Sequence, residues 1–351
     1  MLIELEREIP KAVTDSLLGR LAFHPGITVW PLSLHGRKFL VVSGDESLVP
    51  PLVPGVDRGI VAVHHTAASG YFLVARESSI APAQVAIGDT EIGQGRGLWC
   101  AAGPCALESV DDTVQTGLRL RVGGANALRV SLFKTRSSPY YFQGKGRAAL
   151  ADLAYIREAT GLPVVTEVTD PRDVAAVAEV ASCLHVDARN MSNHALLGEL
   201  GIAGQPVLLM RGPCASIAEW LRAAEYIVTR GNTRIVLCAR GVVGLDESAA
   251  YAPDVCAIQV IRKHTDLPVV YDPSHSTGHS AAVAPAALAA CAFGADGLLI
   301  ESCLHADRMY RPGDAAHMYP PGKLGALLAA CATVSELGMR LTANDRADAA
   351  A

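Results

Sequence analysis

The stretch Pro268-Val269-Val270-Tyr271-Asp272-Pro273-Ser274-His275-Ser276-Thr277-Gly278 decides how this chain folds. A proline precedes three β-branched or aromatic residues, and these run directly into Asp-Pro-Ser-His. A parallel strand covered on both faces is apolar throughout instead of alternating. Val269 to Tyr271 reads as such a strand. Polar side chains able to act on a ligand must then stand where the strand ends, and His275 stands there.

The same layout recurs on both sides of this stretch. Apolar runs of strand length lie at Leu98–Ala102, Ala127–Phe133, Pro163–Val168, Leu184–Val186, Pro206–Leu209, Arg234–Cys238, Pro268–Tyr271 and Gly297–Ile300. Helical stretches separate them, among them Val110–Leu120, Lys145–Ala159, Pro171–Ala181, Ser216–Thr229 and Ala282–Phe293. Asp170-Pro171 and Ser216 mark helix starts, and Gly161, Gly231 and Gly294 lie near helix ends. Eight alternating units predict an α/β fold, a (β/α)8 TIM barrel. An open doubly wound sheet is the competitor, weakened because no GxGxxG follows the first run.

The pattern places the barrel at 96–340, a connector at 71–95, a small N-terminal domain at 1–70 and a flexible tail at 341–351. Within the N-terminal domain, Ile27–Leu34, Lys38–Ser43 and Ile60–His65 read as short strands, interrupted by Pro50, Pro51 and Pro54. The connector holds a strand near Gln84–Ile87 with a turn at Gly88-Asp89. His64 and His65 would point to opposite faces of a strand, so the pair reads as structural and not as a metal site.

Composition excludes several classes. Of 351 residues, 50% are hydrophobic and 19% charged, enough for a large core. A net charge of −5 and the lack of a basic cluster with interleaved aromatics argue against nucleic acid as a partner. No apolar stretch has the length of a membrane span, and Glu4, Glu6 and Glu8 replace any signal-like run, so a cytoplasmic protein is expected. The nine cysteines are scattered singly and form neither a disulfide framework nor a CxxC zinc pattern.

In a barrel of this kind the active site forms at the C-terminal ends of the strands. The sequence places Lys134, Arg136, Arg189, Arg211 and Arg240 just after strand runs, more cations than a fold needs at one mouth. Arginine binds phosphate and carboxylate bidentately, so a substrate carrying both groups is indicated. Strands 7, 8 and 1 become neighbours when a barrel closes, and His275, Glu301 and Cys105 end them. With Asp314 from the loop after strand 8, thiolate, imidazole and carboxylates suit zinc, iron or manganese.

Several of these segments together carry a family resemblance: Gly103-Pro104-Cys105 with Glu108-Ser109, Lys134-Thr135-Arg136-Ser137-Ser138-Pro139-Tyr140, Asp187-Ala188-Arg189-Asn190-Met191, Leu237-Cys238-Ala239-Arg240-Gly241 and Asp272-Pro273-Ser274-His275. From about residue 95 to 335 the chain resembles the type I 3-deoxy-D-arabino-heptulosonate 7-phosphate (DAHP) synthases, on the branch nearer to 3-deoxy-octulosonate 8-phosphate synthase. The resemblance implies condensation of phosphoenolpyruvate with erythrose 4-phosphate, the entry to the shikimate pathway. It implies a divalent metal (Mn, Fe, Zn or Co) held by Cys105, His275, Glu301 and Asp314, with Asp307 as the fallback for Asp314. Phosphoenolpyruvate would be held by Lys134, Arg189 and Arg240, the aldose phosphate by Arg136 and Ser137, and Glu167 would orient the attacking water. A homo-dimer or homo-tetramer is expected, and the N-terminal domain is similar in position to the ferredoxin-like regulatory domain of some members.

The departures are as informative. The family usually reads Lys-Arg-Gly where this chain has Met210-Arg211-Gly212, and the usual lysine contacts phosphoenolpyruvate. Ala239 stands for the usual glutamate before Arg240-Gly241, Val243-Gly244-Leu245 for Arg-Thr-Phe, and Lys134-Thr135-Arg136-Ser137 for Lys-Pro-Arg-Thr. The sequence therefore supports three readings: a metal-dependent DAHP synthase, a diverged carbon–carbon-forming transferase or lyase of specialised metabolism with another substrate, and a non-catalytic relative.

Overall fold

A computed structural model describes residues 1–66, 68–136, 138–245, 251–310 and 315–348. The chain begins with a four-stranded antiparallel sheet of β1 (Leu2–Leu5), β2 (Thr28–Leu34), β3 (Arg37–Ser43) and β4 (Ile60–His64), in the order β2-β3-β1-β4. One helix, α1 (Lys11–Ala22), follows β1. This is the strand order of a ferredoxin-like sheet, with the segment between β3 and β4 carrying only a 3-10 turn, Glu46–Leu48. Ile3, Leu5, Leu17, Leu21, Leu40 and Val42 form the small core between sheet and helix.

His64 bonds Glu4 at 3.3 Å and stacks on Phe72, while His65 is exposed beside Glu46. The two imidazoles thus do separate structural work, as the alternation of a strand requires.

A hairpin of β5 (Gln84–Ile87) and β6 (Thr90–Gly93) leads into the barrel. Its Val85, Ile87 and Ile92 pack with Trp99 at the start of the first barrel strand, and Trp99 Nε1 donates to Thr90 Oγ1 at 3.1 Å. The hairpin therefore plugs the N-terminal end and leaves the other end for chemistry.

The eight apolar runs become parallel strands: β7 (Trp99–Gly103), β8 (Ala127–Arg129), β9 (Val164–Glu167), β10 (Cys183–Val186), β11 (Val207–Met210), β12 (Ile235–Ala239), β13 (Val269–Tyr271) and β14 (Gly297–Glu301). They close into one barrel, with β14 pairing β7. The open-sheet alternative falls away. Helices α2 (Val110–Val122), α3 (Leu150–Thr160), α4 (Val174–Val180), α5 (His194–Ala203), α6 (Ile217–Val228), α7 (Cys256–Ile261), α8 (Pro273–Thr277), α9 (Ser280–Ala292) and α10 (Leu324–Asp348) follow. Helix α10 continues past residue 340, into the stretch where the sequence suggests a flexible tail.

Local signals set these boundaries. Ser216 and Glu219 form a reciprocal capping box at the start of α6, and Ser109 caps α2. Each satisfies backbone donors that the helix itself leaves open. At the end of β7, a side chain on Gly103 would lie 2.2 Å from the Arg129 carbonyl oxygen, so only glycine lets the chain turn toward Pro104 and Cys105.

The N-terminal sheet is tied to the barrel's flank. The buried Glu225 carboxylate on α6 accepts the backbone N–H groups of Phe72, Leu73 and Val74 at 2.9–3.0 Å. Trp30 on β2 donates to the Thr229 carbonyl and lies under the Arg230 guanidinium.

Candidate active site and metal centre

The decisive turn is built by one aspartate. Asp272, fully buried at the end of β13, accepts the His275 backbone N–H at 2.8 Å and meets His275 Nδ1 at 2.6 Å. Pro273 starts α8 with the φ that a helix needs. The imidazole is thereby held with Nε2 toward the neighbouring strand end, 3.5 Å from Glu301 Oε1. A carboxylate bonded to one ring nitrogen is the arrangement that fixes a histidine for metal ligation through the other.

Glu301, 1% exposed at the end of β14, is the hub of this corner. Arg129, fully enclosed on β8, bonds Oε1, and His317 Nε2 meets Oε2 at 2.6 Å. The ligand atoms of His275, Glu301 and His317 lie within 4.8 Å of one another. Burial opposes ionisation of Glu301, yet Arg129, His275 and His317 outweigh it and hold its pKa well below the usual range. Two imidazoles and an ionised carboxylate fit a borderline divalent cation.

Cys105 is buried after the end of β7, close enough for its sulfur to influence Arg129 and Lys134. The structure thus brings His275 and Glu301 together and adds His317, while Cys105 stands at the end of the adjacent strand outside this cluster. Asp314 and Ser137 lie outside the described residues. Asp307 is exposed on the 3-10 turn Ala306–Arg308.

A second set of charges stands beside the first. Lys134 Nζ bonds Glu167 Oε2 at 2.8 Å with both side chains buried. Burial alone would lower the lysine pKa, but Cys105 and Glu167 raise it, so the ammonium is retained. Thr135 Oγ1 reaches Glu167 Oε1 at 3.4 Å. Arg189 is exposed and donates to the Thr135 carbonyl at 2.7 Å, while Arg136 donates to the Phe142 carbonyl. Arg211 is committed elsewhere, to Asp254 and the Ala215 carbonyl.

Arg240, 6% exposed, has no carboxylate partner among the described residues. Its Nη1 lies 3.8 Å from the Met210 sulfur and its guanidinium stacks on Tyr251.

The loops above the barrel enclose a cavity of about 410 Å³ beside the metal corner, lined by Pro104, Glu108, Phe142, Lys145, Arg308 and Tyr310, among others. Cys303 and His305 also face it, and Cys303 Sγ touches Met309 Sδ at 3.7 Å.

Residues 73–336 match the DAHP synthetase I family. The chain belongs to that family. It is 40% identical over 234 residues to the phospho-2-dehydro-3-deoxyheptonate aldolase of Thermotoga maritima, covering 66% of this chain and 68% of the relative. A 2-dehydro-3-deoxyphosphooctonate aldolase of Rhodopseudomonas palustris is 31% identical over 272 residues, covering 71% and 92%. The crystal structure of the Thermotoga maritima DAHP synthase superposes with a TM-score of 0.73 at 29% identity, covering 96% of this chain and 98% of that one. A truncated form of that synthase gives 0.69 at 32%, covering 77% and 98%. The N-terminal sheet and the barrel both have counterparts in the longer of these structures.

Two residues that sequence reasoning passes over, Arg129 and His317, join this corner. Arg129 sits inside an apolar run, and a lone arginine there was the available signal. His317 comes late in the loop after β14, where its only mark is the apolar anchor Met318-Tyr319 that brings the loop back: Tyr319 N–H donates to the Glu301 carbonyl at 2.8 Å.

Proposed function

We propose that this chain condenses phosphoenolpyruvate with a phosphorylated aldose, erythrose 4-phosphate being the first candidate, and releases phosphate. The observation that carries the reading is the meeting, at one barrel mouth, of the His275–Glu301–His317 cluster with the buried cations Arg129, Lys134 and Arg240. Family membership supports it.

His275, Glu301 and His317, with Cys105 beside them, would hold a divalent metal. Such an ion supplies Lewis-acid polarisation of the acceptor aldehyde. Asp272 keeps His275 oriented and Arg129 keeps Glu301 ionised. Lys134 and Arg240 bind the anionic enolpyruvyl substrate in a dry site, where charge–charge contacts are stronger than in water. Glu167, shared between Lys134 and Thr135, is placed to orient and deprotonate the water that attacks C2. Arg136 and Ser137 bind the phosphate of the aldose.

A second reading, a different acceptor, is favoured by Met210. It is fully buried against Arg240 where the resemblance expects a lysine. Incubation with phosphoenolpyruvate, manganese and a panel of aldehydes, with products followed by mass, separates the two. A 3-deoxy sugar phosphate from erythrose 4-phosphate is expected. Product from another aldehyde alone establishes the second reading, and no product from any aldehyde overturns both.

A further inference from the structure

The barrel interior holds a buried imidazole that no step above uses. On β10, Leu184 and Val186 pack outward against the helices and Cys183 packs inward with the barrel filling. Alternation along a strand therefore turns His185 inward. It pairs in register with Glu167 on β9, the partner of Lys134, which places it in the uppermost interior layer under the mouth. The side chain is 2% exposed, and its Nε2 has no hydrogen-bond partner among the described residues. Burial, the largest influence, pushes the imidazole down to about 3, so the ring is neutral. The charges of Asp187, Arg129, Lys134 and Asp272 all reach it.

One strand intervenes between this ring and a second orphan. The order is β10-β11-β12, and Arg240, just past β12, also leaves a buried nitrogen, Nε, without a partner among the described residues. Between them β11 contributes Met210, whose thioether is only a weak acceptor and takes Arg240 Nη1 at 3.8 Å, leaving Nε unmet. Leaving a buried donor unsatisfied is costly, and native interiors rarely tolerate it without a reason. Two such nitrogens flank the position where the resemblance expects a substrate-binding lysine. Packing alone would favour an apolar side chain at 185. An anionic ligand with oxygens on both sides of β11 would satisfy both nitrogens.

We infer that His185 is a substrate-positioning residue: with the proton on Nε2 it donates to an anionic oxygen of the enolpyruvyl substrate, and together with Arg240 it does the anchoring that Met210 cannot. The inference rests on the reading of the site as one for phosphoenolpyruvate. A neutral donor in place of an ammonium keeps the hydrogen bond and gives up a unit of charge. Binding should consequently be selective for geometry more than for charge.

The test is calorimetric titration with phosphoenolpyruvate, pyruvate and inorganic phosphate of the wild-type protein, His185→Gln, His185→Ala, Met210→Lys and His185→Ala/Met210→Lys, each checked for folding by circular dichroism. His185→Ala is expected to weaken phosphoenolpyruvate binding about 10- to 100-fold, the range of one hydrogen bond to a charged group. His185→Gln, which keeps an amide donor, should lose less. The effect should shrink in the Met210→Lys background, because lysine would take over the same oxygen, giving a non-additive cycle. Pyruvate and phosphate report which end of the substrate the ring touches. The ring nitrogens of His185 in the ¹⁵N-labelled wild-type protein should shift on adding phosphoenolpyruvate. Unchanged affinity in a folded His185→Ala protein, or ring nitrogens indifferent to substrate, overturns the inference while the wider reading stands. A wild-type protein that binds no phosphoenolpyruvate overturns both.

Discussion

The two sides of the barrel mouth are built on opposite terms. Around β13, β14 and β8 the polar groups satisfy one another: Asp272 holds His275, and Glu301 is shared by Arg129 and His317. Around β10 to β12 two buried nitrogens, on His185 and Arg240, have no partner among the described residues, and a methionine separates them. The first side is preorganised by the protein itself, the condition under which charged groups aid a reaction without rearranging. The second is completed only by what binds there. The contrast teaches that the His275–Glu301–His317 corner is held by its own partners, while the adjoining side around His185 and Arg240 keeps unmet polar atoms among the described residues.

The sharpest way to break the contrast is at its hub. Glu301→Gln should strand the fully buried Arg129 and cost about 3–5 kcal/mol in denaturant unfolding, the range for breaking a buried pair by removing one partner. It should also abolish divalent-metal binding. An unfolding midpoint equal to the wild type would show that the pair is not the hub.

On the other side the same kind of change should be gentler to the fold and harder on the ligand. Arg240→Met removes a cation that has no carboxylate partner among the described residues, so stability should hold or rise slightly. Phosphoenolpyruvate affinity should fall by about 1.5–3 kcal/mol, one charged hydrogen bond. Calorimetry and unfolding on the same protein check both halves, and a large loss of stability with unchanged affinity would invert the comparison.

The effect that is smallest near neutral pH is a dependence on acidity. His185 has a folded-state pKa depressed from 6.5 to about 3 by burial, so between those values the unfolded chain binds a proton that the folded chain refuses. Its contribution to stability is complete above 6.5 and is lost as pH falls through this window, by at most about 1.4 kcal/mol per unit. His185→Gln should flatten that part of the stability–pH curve. A curve of the same slope in the variant would show that the imidazole is not held neutral.

The same division decides what the sequence made legible. Cys105, His275 and Glu301 each follow an apolar run, and a polar residue at a strand end is visible against such a background. All eight barrel strands were readable for the same reason, within a residue or two at most ends. Beyond that, the apolar run Ala127–Phe133 suggests a long strand, whereas β8 spans only Ala127–Arg129, because the chain then leaves the barrel wall toward the Lys134 loop. Arg129 and His185 escaped notice because they lie inside apolar runs, where a polar residue reads as an exception instead of as a layer of the interior. His317 escaped because a loop, not a periodic element, carries it back to Glu301. In the N-terminal domain, β1 and α1 were not seen. The strand has four residues, and the helix buries only Leu17 and Leu21, too few to give a clear period.

The most direct measurement is phosphate release from phosphoenolpyruvate with erythrose 4-phosphate by protein stripped of metal with a chelator and then titrated with manganese. No turnover in the stripped protein, and recovery that saturates at one equivalent of metal, is the expected result. Turnover that survives complete metal removal would contradict a metal centre at His275, Glu301 and His317.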